Sequence, residues 1–106
     1  MPLLIPTNRR PTTPGEMLVE TFLKPLNMTQ TAFAGRIGVT YPRLNEIVKG
    51  KRAITPDTAL RFAAALGTSP DFWLNLQHGV DLYDAMHSGK AAAFKKIRRI
   101  PELASA

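Results

Sequence analysis

The sequence predicts an all-α fold of five helices behind an extended N-terminal arm, and three observations predict it. Hydroxyl residues recur where helices should begin, apolar residues recur at helical spacing, and no stretch shows a convincing two-residue alternation. The 106 residues suit one domain with one modest core.

Residues 1–13 hold Pro2, Pro6 and Pro11 together with Arg9 and Arg10. Proline fixes φ and removes a donor, so this segment reads as a flexible, extended arm. Thr13 can cap the first helix, Pro14 suits its first position, and Glu16 meets the positive end of the helix dipole. Leu18, Phe22 and Leu26 form one apolar stripe, and Pro25 limits this helix to about residues 14–24. Thr29 caps a second helix, Gln30 to Ile37, with Phe33, Ala34 and Ile37 inward and Gly38 ending it. Thr40 caps a third, Tyr41 to Val48, ended by Gly50. Thr55-Pro56-Asp57 opens a fourth that runs to Gly67, and Ser69-Pro70-Asp71 opens a fifth that runs to about Met86. The domain is thus expected over 14–87, with 88–106 as a C-terminal tail available for dimerisation or toxin contact. In that tail Ala91 to Phe94 suits a helix, while Phe94 to Ile100 suits a short edge strand.

The composition sets the class of partner. The net charge is +6 and the isoelectric point is about 10.2, a balance that favours an anionic partner such as nucleic acid. There is no cysteine, which excludes disulfides and thiolate metal sites. No apolar run approaches the roughly 20 residues of a membrane span. The apolar start, Met1 to Pro6, is too short and too rich in proline for a signal peptide, so a cytoplasmic protein with no membrane partner is expected.

The informative stretch is Gln30 to Gly50. Two short helices joined by Gly38-Val39-Thr40 need a small residue where they cross, supplied by Ala34, and a turn residue tolerant of positive φ, supplied by Gly38. Leu44, Ile47 and Val48 give the second helix its inward face. This is the pattern of a helix-turn-helix, against the alternative of an ordinary helical hairpin in a bundle. At about 100° per residue, Pro42, Glu46 and Lys49 lie outward with Arg43 and Asn45 on the flanks.

An α-helix fits the DNA major groove, whose base edges carry distinct donor and acceptor patterns. Arg43 or Lys49 can donate to guanine, Asn45 can pair with adenine, Glu46 can accept from cytosine, and Tyr41 or Pro42 can touch a thymine methyl. Glu46 suits base readout better than phosphate contact; the alternative is a solvated acid paired with a neighbouring cation. Phosphate contacts are expected from Gln30 at a helix N-terminus, from Arg36, from Lys51 and Arg52 beside Lys49, and from the helix opening at Thr55, with Arg61 a weaker candidate.

These residues resemble the Xre/Cro-type helix-turn-helix domain, and more narrowly the HigA (also VapI) family of antitoxins. The resemblance covers about residues 12–87. It rests on Pro14-Gly15-Glu16-Met17-Leu18, on Phe22 to Leu26, on Thr29-Gln30, on Asn45 to Pro56, and above all on Leu66-Gly67-Thr68-Ser69-Pro70-Asp71-Phe72-Trp73-Leu74-Asn75-Leu76-Gln77. Members often carry His directly before Pro-Gly-Glu; Thr13 stands there in this chain, which removes a polar contact at the first helix. The resemblance implies a homodimer that represses its own operon and neutralises a cognate HigB-like, mRNA-cleaving toxin. An Xre-type regulator without a toxin, and an interaction module without DNA affinity, are the alternatives.

The fifth helix carries Phe72, Trp73, Leu76, Val80 and Tyr83 on one side and Leu74, Leu82 and Ala85, with His78, on another. A second apolar stripe needs a cover: the twin chain, the toxin or the chain's own tail, of which the twin is favoured. Two-fold pairing would set the reading helices about 34 Å apart and predicts a palindromic operator. No enzyme, cofactor or metal is expected. His78 and His87 are nine apart, on opposite faces of a helix; Asp81 and Asp84, as an acid–base pair, have no glycine-rich loop or pocket signature near them; and the sequence holds no phosphate loop or dinucleotide fingerprint.

Overall fold

Thr13 begins the first helix with both halves of a capping box. Its hydroxyl accepts from the Glu16 backbone N–H at 3.1 Å, and the Glu16 carboxylate accepts from the Thr13 N–H at 2.9 Å. Thr13 therefore caps this helix, as its hydroxyl predicted. The computed structural model describes residues 9–104. The arm's first eight residues, and the last two of the tail, lie outside the described residues.

The opening helical run is α1 (Pro14–Met17), a π-helical stretch (Leu18–Leu23) and α2 (Lys24–Leu26). It passes through Pro25 instead of stopping at residue 24. The wider turn explains this: the Lys24 N–H bonds back to the Val19 carbonyl, a five-residue step in which the ladder adapts to a following residue with no N–H. Asn27, at φ 53°, then turns the chain.

Four further helices follow: α3 (Gln30–Ile37), α4 (Tyr41–Val48), α5 (Pro56–Leu66) and α6 (Pro70–Met86). The caps Thr29, Thr40, Thr55 and Ser69 each accept from the N–H three residues on. Gly38 takes φ 75° and lets the Val39 N–H reach the Ala34 carbonyl at 3.1 Å, which closes α3 and redirects the chain into α4.

The core is continuous. Leu18, Leu23, Phe33, Ala34, Ile37, Leu44, Ile47, Ile54, Ala59, Phe62 and Trp73 are all buried together. Trp73, from α6, has no exposed surface. It meets Phe62 and Phe72 edge-on at 5.0 and 5.1 Å, and its ring N–H donates to Thr68 Oγ1 at 2.7 Å. Its polar edge is thus satisfied while its body fills the centre.

Gly15 lets α1 lie close against the end of α4. A Cβ there would fall 2.5 Å from the Val48 carbonyl oxygen and 2.6 Å from that of Ile47, so only glycine lets α1 rest on the end of α4. This contact, with Ile47 and Leu44 beneath, fixes how α4 sits on the domain.

The tail holds two short helices, α7 (Ala91–Lys95) and α8 (Pro101–Ala104). The edge strand from Phe94 to Ile100 does not form. The Lys96 and Ile97 N–H groups turn back to Ala93 and Phe94 at 3.2 Å each, and no strand is present among the described residues to offer a ladder. Phe94, Ile97, Ile100 and Leu103 remain exposed. No helix among the described residues is long and apolar enough to cross a membrane.

Candidate nucleic-acid interface

Helix α4 buries Leu44 and Ile47, half-buries Val48, and turns Tyr41, Pro42 and Lys49 to solvent. Arg43, Asn45 and Glu46 are half-buried, and each is held by a partner.

The Asn45 amide Nδ2 donates to Gln30 Oε1 at 3.0 Å. The first residue of α3 thus orients a side chain in the middle of α4. The Glu46 carboxylate accepts from Arg52, at 2.8 Å from Nε and 2.7 Å from Nη2. This is the pairing with a neighbouring cation that was the alternative for Glu46, and it engages Arg52 as well. Both side chains stay about half exposed, so water screens the pair.

Arg43 points back toward the protein. Its Nη2 donates to Asp57 Oδ2 at 3.0 Å and to Thr58 Oγ1 at 3.2 Å, while its Nε is buried without a partner. To reach a base, it must first leave α5. Arg61 is engaged within the domain as well: Nη1 donates to the Ile37 carbonyl at 2.7 Å and Nε to Asp57 Oδ2 at 3.0 Å. Hydrogen bonds from Arg61 and then Arg43 hold the Asp57 carboxyl below its ordinary range.

Lys49 and Lys51 are exposed; their backbone N–H groups bond to the Asn45 and Glu46 carbonyls, while neither ammonium group has a hydrogen-bond or ion-pair partner among the described residues. They are the cations presented outright by the loop after α4. The loop's far end is pinned by Gln77, whose Oε1 accepts from the Ile54 N–H at 2.8 Å. Thr55 spends its hydroxyl on the start of α5, accepting from the Thr58 N–H at 3.4 Å. Arg36 sits apart from this loop, bordering an apolar hollow with Leu26, Met28, Phe33, Ala65 and Leu66.

Sequence reasoning missed four residues: Asp57, Arg61 in its bracing role, Gln77 and Arg10. Arg10 forms a two-pronged pair with Asp84, at 3.0 and 2.9 Å, and this anchors the end of the arm on α6. It lowers the Asp84 carboxyl and raises the Arg10 guanidinium. No local pattern could reveal a contact 74 positions apart. Arg10 also lines one cleft with Gly50, Lys51, Arg52, Asp81 and Asp84, so this residue lies beside the basic loop.

The second stripe of α6 is uneven. Leu82 and its neighbour Met86 are about half exposed, and His78 is exposed. Ala85 is half-buried, and Leu74 packs against the core. Tyr83 stacks on His87 at 4.0 Å. Among the described residues, no group of three His, Cys, Asp or Glu side chains is placed to hold a metal ion.

Comparison with known proteins places this geometry. The helix-turn-helix family matches residues 19–73. The chain is 45% identical over 78 residues to antitoxin HigA-1 of Vibrio cholerae, covering 74% of this chain and 73% of that protein. The solved structure of Pseudomonas aeruginosa antitoxin HigA with the higBA promoter superposes with a TM-score of 0.80 at 33% identity, over 86% of this chain and 99% of that one. Antitoxin GraA in complex with its operator gives 0.78 at 36% identity, over 87% and 93%. With the capped five-helix core and the exposed face of α4 already in place, these likenesses make the chain a member of the HigA family of helix-turn-helix antitoxins.

Proposed function

We propose that this chain is the antitoxin of a toxin–antitoxin module, that it binds a palindromic operator as a homodimer to repress its own operon, and that it neutralises a cognate toxin. The observation that carries the DNA reading is the outward side of α4. Tyr41, Pro42 and Lys49 stand in solvent, Asn45 is held in a fixed orientation by Gln30, and Lys51 follows in the adjoining loop. A pre-oriented amide flanked by cations on a projecting helix suits base edges in the major groove.

In this reading α4 enters the groove. Asn45, Lys49, Tyr41 and Pro42 face base edges; Glu46 and Arg43 join them only by releasing Arg52 and Asp57. Lys51, the backbone at Gln30 and the start of α5 at Thr55 meet phosphates, with Arg52 and Arg36 as further contacts. Leu82, with His78, Ala85 and Met86, forms the two-fold face, to which Leu74 contributes little free surface. The arm over 1–13 and the tail over 88–106 are appendages to the domain over 14–87. Its work is recognition, and no catalytic step is assigned.

A gel-shift titration against the DNA upstream of its own reading frame, at several salt concentrations, tests this. Affinity should fall steeply with salt and remain well above that for a scrambled duplex. Equal affinity for both duplexes would remove the repressor reading. Leu82→Glu should give a monomer by sedimentation; an unchanged dimer would move the two-fold face elsewhere.

A further inference from the structure

We propose that Asp57 is the positioning residue of the reading helix: one carboxylate oxygen ties both sides of the helix-turn-helix to the start of α5. Asp57 Oδ2 accepts from Arg43 Nη2 and from Arg61 Nε, each at 3.0 Å. Arg43 lies in the first turn of α4. Arg61 carries the connection onward, because its Nη1 donates at 2.7 Å to the carbonyl of Ile37, the last residue of α3. A side-chain bridge therefore runs from Ile37 through Arg61, Asp57 and Arg43, spanning Gly38-Val39-Thr40 from outside.

The turn needs such a bridge. Its glycine at φ 75° has no side chain to stiffen it, and α3 and α4 are only eight residues each. The strap lies close over the turn, since a Cβ on Gly38 would stand 3.1 Å from Arg61 Nη1. The far end is rigid as well. Arg43 also donates to Thr58 Oγ1 at 3.2 Å, and that hydroxyl, on a residue 1% exposed, pairs with the cap Thr55 at 3.2 Å. Asp57 itself is half exposed, and the hydrogen bonds its carboxylate accepts come from Arg43 and Arg61. It acts through the arginines.

This inference rests on the reading that α4 contacts DNA, and it predicts a sign that simple electrostatics does not. An acid near a DNA-facing surface repels phosphate, so removing it should tighten binding to every duplex alike. A positioning residue behaves oppositely: its loss should weaken operator binding and spare random DNA.

The experiment measures affinities of the full-length chain for its upstream duplex and for a scrambled duplex of equal composition. The variants are Asp57→Asn, Asp57→Glu and Arg61→Lys, with thermal melts to show that each is folded. The operator-to-scrambled ratio should fall about two- to thirty-fold for Asp57→Asn, the range seen for mutations that act on a site indirectly. Asp57→Glu should recover part of it. Arg61→Lys keeps the net charge and still should lower the ratio, because an ammonium cannot span Asp57 and Ile37 as the guanidinium fork does; it carries the test alone if Asp57→Asn fails to fold. Tightening of both duplexes by one factor in Asp57→Asn, or an unchanged ratio in Arg61→Lys, would overturn the role of Asp57. A wild-type chain without operator preference would instead remove the DNA reading, and the positioning role with it.

Discussion

Asn45 on α4 donates its amide proton to Gln30 Oε1 at 3.0 Å, so the first residue of one helix sets the direction of a side chain on the next. Two amides in contact act as a unit, and their losses should not add. Gln30→Ala and Asn45→Ala should each weaken operator binding by about 1–3 kcal/mol, and the double variant should lose little more than the worse single. A double-mutant cycle on the operator duplex measures this. Full additivity would mean that the contact does not persist on DNA.

The loop after α4 gives an ordered salt response. Lys51 is unpaired and Arg52 is held by Glu46 at 2.7 Å. Lys51→Ala should therefore lower the slope of log affinity against log salt by about 0.9, the effect of one phosphate contact on duplex DNA. Arg52→Ala should lower it less, unless Glu46→Ala is present to free the guanidinium. Identical slopes for Lys51→Ala and wild type would take Lys51 off the backbone.

Gly15 makes a prediction about stability. The obstacles to a side chain there are the Ile47 and Val48 carbonyl oxygens and the Val48 Cα, and backbone cannot step aside as a flexible side chain can. Gly15→Ala should cost about 1–3 kcal/mol and shift the end of α4, despite the better helix propensity of alanine. Denaturant unfolding at constant m-value reads the loss. A neutral or stabilised variant would show that α1 and α4 do not meet this closely.

Acid behaviour follows from the two ion-paired aspartates. Arg61 and Arg43 lower the Asp57 carboxyl, and Arg10 lowers that of Asp84. Each binds its proton less readily in the folded chain, so its contribution is present above about pH 4 and fades as pH falls through the lowered value. Asp84→Asn should be less stable than wild type at pH 6, and the gap should close as pH falls through the lowered value of Asp84. A constant gap across that range would assign the loss to packing.

How much of this was legible follows from how local each cause is. Thr13, Thr29, Thr40, Thr55 and Ser69 could be read as caps because a cap and its N–H lie three residues apart, and Gly38 because a single residue must carry the positive φ. The inward set of Leu44 and Ile47 followed from period alone. The fates of Arg43, Glu46 and Arg52 did not, because an outward charge looks free until its partner on another element is known. Arg10 and Asp84 illustrate the limit, being remote in sequence and joined only by the packing of α6 beside the arm. Gly15 was visible as part of a motif, but the reason for glycine appears only where α1 meets α4. Pro25 misled because a π-turn can absorb it, and the tail stayed open because its apolar residues have no core to choose between helix and strand.

The claim that α4 reads DNA with its outward side meets its most direct test in one comparison. The ratio of operator to scrambled-duplex affinity is measured for wild type and for a chain carrying Asn45→Ala, Glu46→Ala and Lys49→Ala together, with circular dichroism confirming the helical fold. The ratio should collapse toward one while weak, salt-sensitive binding survives. A folded triple variant that still picks out its operator as well as wild type would contradict the account.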